Sequence, residues 1–154
     1  MIDYILFAIF FATCAAAAST GAMFQPGEWY EALNRPRWTP PNWLFPLAWT
    51  VLYVAIAYAA VRVVTVSNFA AKDVGLILGF WSLQITLNTL WSPVFFGLKR
   101  LGSAMVVIVF LWLAVAATAI LFFMADPLAG AIFAVYLAWC SYAGALNFWI
   151  WRAN

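Results

Sequence analysis

The chain has 154 residues, of which 68% are hydrophobic and 8% charged, and its net charge is +2. A water-soluble domain carries about 25% charged residues, so much of this surface must face lipid. The small net charge and the lack of a basic stripe exclude a nucleic-acid-binding surface. With no histidine and two distant cysteines, neither a metal site nor a disulfide framework is expected.

Five apolar segments follow one another along the chain, and each is near the ~20 residues that a helix needs to cross a bilayer. The predicted spans are residues 2–24, 44–66, 74–96, 101–124 and 128–151. We therefore predict an all-α membrane protein, a five-transmembrane-helix bundle that forms one domain over residues 1–154. Because spans two to five are joined by short connections, consecutive helices are predicted to be antiparallel neighbours.

The first connection, residues 25–43, differs from the other three in composition. It contains four prolines and four large aromatic residues, which are Pro26, Pro36, Pro40, Pro41, Trp29, Tyr30, Trp38 and Trp43. Flexible linkers are instead rich in glycine and serine. We therefore predict an ordered aromatic lid over one end of the bundle, and long ordered loops are often functional.

The basic residues are distributed unequally between the two sides of the predicted bundle. The side of the lid and the C-terminus holds Arg35, Arg37, Lys99, Arg100 and Arg152. The other side holds Arg62 and Lys72. The positive-inside rule then predicts that the lid and the C-terminus lie in the cytoplasm.

Charged residues are absent from the middle of the spans, and Arg62 lies close enough to a span end to extend to the interface. Proton-coupled transporters usually need an intramembrane ionisable group. Hydrolases need acids, bases and nucleophiles in a pocket. Neither an ion-coupled pump nor a hydrolase is therefore expected.

Polar and aromatic residues recur at helical spacing on three of the spans. They are Trp49 and Tyr53; Gln84, Asn88, Trp91 and Phe95; and Tyr136, Trp139, Ala143, Leu146 and Asn147. An amide in hydrocarbon is costly unless it faces the interior and finds partners, so these stripes are predicted to face inward. Asn147 is as consistent with a hydrogen bond between helices as with a ligand contact.

The tryptophans divide into two groups by depth. Trp43 and Trp151, near span ends, are typical of the interfacial aromatic belt. Trp49, Trp91 and Trp139 lie away from the ends. A single buried tryptophan usually serves packing, but three on separate helices beneath an aromatic lid predict a pocket for a flat apolar ligand.

Small residues spaced four apart allow helices to approach closely. Gly75 and Gly79 form one such pair and Ala18 and Ala22 another. These four positions are the candidate dimer interface.

Four segments of the chain, taken in order, have a familiar pattern. They are WYEALNRPRWTPP at 29–41, PLAWT at 46–50, NTLWSPVFF at 88–96 and YLAW at 136–139 followed by Leu146 and Asn147. With these segments the chain resembles the TspO/MBR family, which comprises the bacterial tryptophan-rich sensory proteins and the mitochondrial translocator protein. It is most similar to the alphaproteobacterial members.

The resemblance implies a homodimer that binds porphyrins, such as protoporphyrin IX, and benzodiazepine-type ligands beneath the first loop. The implied ligand-binding positions are Trp29, Tyr30, Trp38, Trp49, Tyr53, Asn88, Trp91, Trp139, Ala143 and Leu146. It also implies a bacterial membrane, and we expect the inner membrane, with the outer membrane as the alternative.

The function implied is that of a membrane receptor for porphyrins in tetrapyrrole-linked sensing or regulation. The alternatives are a transporter of tetrapyrrole intermediates and an enzyme that degrades porphyrin in light, for which Trp49 and Trp139 are the candidate catalytic residues. The same tryptophans would serve binding and catalysis, so the sequence does not separate these functions. We rank the receptor first and expect no obligatory cofactor, with porphyrin as the ligand.

Two features narrow the expected ligand. Animal members carry a tyrosine in a cholesterol motif where this chain has Phe148, so specific sterol recognition is not expected. Without histidine, ligation of haem iron is not expected either. A metal-free porphyrin held by stacking fits better, with its propionates reaching Arg35 or Arg37.

Overall fold

The computed structural model describes residues 3–66 and 68–154, and every regular element within them is helical. The helices are α1 (Tyr4–Met23), α2 (Glu28–Glu31), α3 (Leu44–Val66), α4 (Ala71–Ser92, extended by a π-helical turn, Pro93–Gly97), α5 (Leu101–Ala125) and α6 (Pro127–Ala153). Five helices of the described chain are long and apolar enough to cross a membrane. The predicted fold class is thereby confirmed, whereas Ile2, the predicted start of the first span, lies outside the described residues.

Local sequence explains where several helices begin and end. The Asp3 carboxylate caps α1 by accepting hydrogen bonds from the backbone amides of Ile5 and Leu6, at 3.0 and 3.1 Å. Asp126 caps α6, which begins at Pro127, where the missing amide is not needed. Pro93 lacks the amide that would continue α4, and the chain widens into a π-helical turn there.

The five spanning helices form a ring in the order α1, α3, α6, α5, α4. Each packs against the next, and α4 closes the ring against α1, with the most extensive contact between α5 and α6. The predicted adjacency of consecutive helices is wrong for α3 and α4, which touch only marginally because both pack against α1. A short connection limits the distance between two helix ends, but it does not determine which faces pack.

The bundle core consists largely of small residues on α3 facing aromatic residues on α4 and α6. Ala57, Ala59 and Ala60 are fully buried, as are Phe133 and Tyr136 of α6. The indole of Trp81 on α4 donates a hydrogen bond of 3.2 Å to the backbone carbonyl of Ile56. Small residues on α3 thus let the large rings fill the centre of the ring of helices.

Residues 25–43 fold over one end of the bundle, and we call this end, together with the last turns of α6, the lid end. The Asn34 amide donates to Oδ1 of Asn154 at 3.0 Å, and Nδ2 of Asn154 donates to the Asn34 carbonyl at 3.1 Å. The Tyr142 hydroxyl donates to the Trp38 carbonyl at 2.7 Å. The lid is therefore tied to α6 at two places.

The lid contains the short helix α2, which the sequence pattern did not predict because a single helical turn has little intrinsic stability. Its Tyr30 is buried and packs edge-on against Phe95 and Phe96, with ring centroids 6.1 and 5.4 Å apart. Burial raises the pKa of the Tyr30 hydroxyl. The ring therefore anchors α2 as a neutral aromatic side chain.

The opposite end, which contains the starts of α4 and α6, we call the closed end. Here Nε and Nη2 of Arg62 donate to the two carboxylate oxygens of Asp126, at 2.6 and 2.9 Å. The expectation that Arg62 extends to the interface stays a prediction, and the structure adds that its guanidinium has a fixed, two-point partner in the turn between α5 and α6. The hydrogen bond from Arg62 lowers the pKa of Asp126, which is 5% exposed.

Candidate ligand-binding site

A cavity of about 330 Å³ lies at the lid end between α1, α3 and the end of α4. Its lining is mostly apolar, with a few polar groups from α3, α4 and the lid. The lining residues include Ala17, Ala18, Thr20, Gly21, Ala22, Phe24, Gln25, Asn42, Phe45, Trp49, Thr50, Tyr53, Asn88, Trp91, Ser92 and Phe96. This volume lies within the range of small-molecule sites in proteins.

Large rings form one side of the cavity. Trp49 stacks on Tyr53 within α3, with centroids 5.6 Å apart and planes 29° apart. Trp91 stacks on Phe95 at 4.9 Å with the same interplanar angle. In each pair the two residues are four positions apart, so their rings lie on the same face of the helix and can stack.

Helix α1 forms the wall opposite these rings, and it contributes small side chains. Ala18, Gly21 and Ala22 line the cavity there. The Thr20 hydroxyl donates a hydrogen bond of 3.2 Å to the Thr89 carbonyl, which holds α1 against α4. Rings on one side and small residues on the other leave open space that neither wall fills.

A chain of hydrogen bonds connects α3, α4 and α6 behind the cavity. The Tyr53 hydroxyl donates to Oδ1 of Asn88 at 3.1 Å, and Nδ2 of Asn88 donates to the Tyr136 hydroxyl at 2.6 Å. That hydroxyl donates in turn to Oε1 of Gln84 at 3.0 Å. All four side chains are buried, so the network fixes the amide of Asn88 at the cavity wall.

A second, smaller cavity of about 20 Å³ lies deeper in the bundle, and Trp139 and Ala143 line it. It shares Trp49, Asn88 and Trp91 with the larger cavity. The rings of Trp49 and Trp139 meet edge to face, with centroids 6.3 Å apart. The two candidate catalytic tryptophans are therefore in direct contact.

Six of the ten predicted ligand-binding residues surround these two cavities. They are Trp49, Tyr53, Asn88 and Trp91 in the larger cavity, and Trp139 and Ala143 in the smaller one. Their convergence from α3, α4 and α6 is what the inward stripes predicted. Binding by each residue stays a prediction.

The other four predicted residues lie between the cavities and the lid surface. Trp29 packs against Phe95 with centroids 6.1 Å apart, and Leu146 is buried in the same cluster as Tyr30. Trp38 is 45% exposed and packs against Tyr142. Helical spacing and the lid composition did not distinguish this outer layer from the cavity wall, because neither reports depth.

Asn147 serves as a link between helices. Its Oδ1 accepts a hydrogen bond of 3.1 Å from the Trp91 indole, and its Nδ2 donates to the Leu101 carbonyl at 3.2 Å. Both polar ends of the side chain are thus used within the bundle. Of the two interpretations of Asn147, the structure supports the interhelical one, which also orients Trp91 at the cavity.

The candidate dimer residues separate into two groups. Ala18 and Ala22 line the cavity, whereas Gly75 and Gly79 are exposed on α4 with open space around them. Dimerisation stays a prediction, and only the α4 pair has its surface free of the cavity.

We did not predict from the sequence that α1 forms a wall of the cavity. The signal that could have indicated it is the run of small residues in α1, which leaves space opposite the large rings.

Known proteins are similar to this chain over nearly its whole length. The family model described as TspO/MBR family matches residues 8–152. The chain is 51% identical over 151 residues to Protein CrtK of Rhodobacter capsulatus, covering 97% of this chain and 92% of that protein. It is 47% identical over 152 residues to the tryptophan-rich sensory protein of Cereibacter sphaeroides, covering 99% and 93%. It is 36% identical over 138 residues to the human translocator protein, covering 87% and 81%.

Proposed function

The chain belongs to the TspO/MBR family of multi-pass membrane proteins, and on this premise we propose that its larger cavity binds protoporphyrin IX. In this proposal the protein is a membrane receptor that acts in tetrapyrrole-linked sensing. Similar flat hydrophobic molecules, including benzodiazepine-type ligands, would occupy the same cavity. The name of the Cereibacter sphaeroides relative, a tryptophan-rich sensory protein, supports a sensing role.

The observation that carries this proposal is the combination of stacked rings with one buried, oriented amide. Trp49 and Trp91 present extended aromatic surface to the cavity, and Asn88 is held beside them by its two tyrosine partners. Aromatic surfaces favour planar guests, and one placed polar group fixes their orientation. Carboxylate, imidazole or thiolate chemistry is not needed for such binding.

Equilibrium binding of protoporphyrin IX to the protein in lipid nanodiscs tests the proposal, with the shift of the porphyrin absorption band as the signal. We expect saturable binding that Trp49→Leu weakens about 10-fold, because stacking and buried aromatic area are lost. Trp112→Leu is the matched control, since Trp112 lies 38% exposed on α5, away from both cavities. Equal weakening by both variants, or no saturable binding, contradicts the proposal.

Light-dependent breakdown of porphyrin is the second candidate function, and the contact between Trp49 and Trp139 favours it. In this reaction the bound porphyrin is oxidised and molecular oxygen is the oxidant, and the two touching indoles would act as redox-active groups that pass electrons between them. Illuminating the aerobic complex tests this. Loss of the porphyrin bands that Trp139→Phe abolishes supports catalysis, whereas stable bands limit the protein to binding.

Orientation and assembly are part of the proposal. Because the lid end holds five of the seven basic residues, we place it at the cytoplasmic face of the inner membrane. The exposed face of α4 around Gly75 and Gly79 is the proposed homodimer contact. Labelling of a cysteine introduced at Lys99 with a membrane-impermeant maleimide in intact cells would contradict this orientation.

A further inference from the structure

The outer face of the lid carries an open groove of about 520 Å³ that is distinct from the cavity beneath it. Arg35, Thr39 and Asn42 provide its polar groups, and Pro36, Pro40 and Pro41 provide stiff walls. Asn42 lines both the groove and the larger cavity. The two spaces therefore lie on either side of one residue.

Arg35 is held at a defined place in this groove. Its guanidinium carbon lies 4.9 Å from the centroid of the Tyr30 ring, in cation–π geometry. Tyr30 is buried and packs against Phe96, which lines the cavity. The contact of Arg35 with the Tyr30 ring, and the edge-on contact of that ring with Phe96, thus hold a positive charge above the cavity.

The guanidinium of Arg35 is available to a ligand. Within residues 3–66 and 68–154, the one ion pair joins Arg62 to Asp126 at the closed end, so Arg35 has no carboxylate partner among these residues. Arg35 is half-buried, so its charge is less well hydrated than that of a freely exposed side chain. A guanidinium presents a planar fork of N–H donors that matches a carboxylate in two-point geometry.

Charge is also distributed unequally along the bundle. The lid end carries Glu28 and Glu31 against its five basic residues, whereas the closed end carries Asp3, Asp73 and Asp126 against Arg62 and Lys72. The lid end is therefore net positive and the closed end net negative. This field favours the approach of an anion to the lid.

We propose that Arg35 binds the carboxylate of an amphipathic ligand whose flat apolar body occupies the larger cavity. The inference rests on the proposed function and names its ligand class, a planar hydrophobic acid such as a porphyrin with free propionates. Arg37 takes no part, because it is exposed and does not line the groove. The structure thereby distinguishes between the two arginines of the lid.

The test measures binding of protoporphyrin IX and of its dimethyl ester to the wild type, Arg35→Gln and Arg37→Gln in nanodiscs of phosphatidylcholine. We expect Arg35→Gln to weaken binding of the diacid about 10-fold, the size expected for loss of a charge-assisted hydrogen-bonded pair. Binding of the diester should change less than about twofold, which also shows that the variant is folded. Arg37→Gln should leave both affinities unchanged.

The outcomes separate the two proposals. If Arg35→Gln weakens the diacid and the diester equally, or if Arg37→Gln has the same effect as Arg35→Gln, the carboxylate site is wrong while the cavity proposal stands. If neither ligand binds the wild type, both proposals fail. If Arg35→Gln weakens the diacid only in nanodiscs that contain phosphatidylglycerol, and not in phosphatidylcholine alone, the effect depends on the anionic lipid, and the assignment to a ligand carboxylate is overturned.

Discussion

At the lid end the bundle encloses a cavity of about 330 Å³ between stacked rings and small residues, whereas at the closed end Arg62 and Asp126 join α3 to the start of α6 through hydrogen bonds of 2.6 and 2.9 Å. The lid is attached by hydrogen bonds among exposed groups such as Tyr142 and Trp38. The closed end combines a buried carboxylate with close packing of α5 on α6. Binding and stability are therefore expected to respond to different substitutions.

Asp126→Ala should have the largest effect of any single change at the closed end. It removes two charge-assisted hydrogen bonds, the cap on the Ala129 amide at 2.9 Å, and the partner of Arg62. We expect the free energy of unfolding to fall by about 3 kcal/mol. This value is at the low end of the range for breaking a buried ion pair, because the Arg62 side chain is 26% exposed. Unfolding by a denaturing detergent measures it.

The control for Asp126→Ala is Asp73→Ala, at an exposed position in the first turn of α4. Its effect should stay below about 0.5 kcal/mol. Affinity for protoporphyrin should be unchanged in both variants. A fall in affinity without a fall in stability for Asp126→Ala would show that the two ends are not independent.

Gly130→Ala should produce the next largest effect, since Gly130 lies where α6 turns back against α5. A methyl group there would lie 2.6 Å from Cα of Phe123, a backbone atom that cannot rotate away. Overpacking of this kind costs about 2 kcal/mol. Gly144→Ala, on the same helix but with nothing within 4 Å, should instead stabilise the protein by about 0.5 kcal/mol. Equal effects from the two substitutions would contradict the close packing of the closed end.

Tyr142→Phe tests the attachment of the lid. The change removes the hydrogen bond to the Trp38 carbonyl and keeps the ring contact of 5.6 Å between these two residues. We expect amide hydrogen exchange in residues 34–41 to increase about 5-fold, corresponding to about 1 kcal/mol. Tyr4→Phe, at a 77% exposed position on α1, is the control and should leave exchange in the lid unchanged.

The pH dependence of stability should be small and confined to acid. Because Arg62 holds the pKa of Asp126 below its ordinary value of 3.8, the pair stabilises the folded state at every pH above that value. The contribution is lost as the pH falls through the lower pKa of the folded state. The stability difference between the wild type and Asp126→Ala should therefore be constant from about pH 5 to 7 and shrink only below about pH 4.

The five spans and the inward stripes could be predicted because both depend on local sequence. Hydrophobic length identifies a membrane helix, and the helical period identifies the face that carries polar groups. Gln84 and Asn88 were placed inward on this basis, and both are buried. An amide left in lipid without hydrogen-bond partners costs free energy, so a position inside the bundle is strongly favoured for both side chains.

Depth and long-range pairing could not be predicted in the same way. Tyr30 and Leu146 share a cluster near the lid and do not line the cavity. The helical period predicts which face of a helix a residue lies on, but it does not predict how deep in the bundle the residue lies. Arg62 and Asp126 are 64 residues apart, and no local pattern connects them. The α1 wall has few polar groups, so its part in the cavity became visible only when Gly21 was placed opposite the rings.

Hydrogen exchange at the two ends of the bundle, measured with and without protoporphyrin IX, shows whether the ligand binds beneath the lid. We expect slower exchange in residues 27–43, because a ligand in the cavity supports the lid from below. Exchange in residues 68–73, at the closed end, should be unchanged. Equal protection at both ends, or protection confined to the closed end, would contradict a binding site beneath the lid.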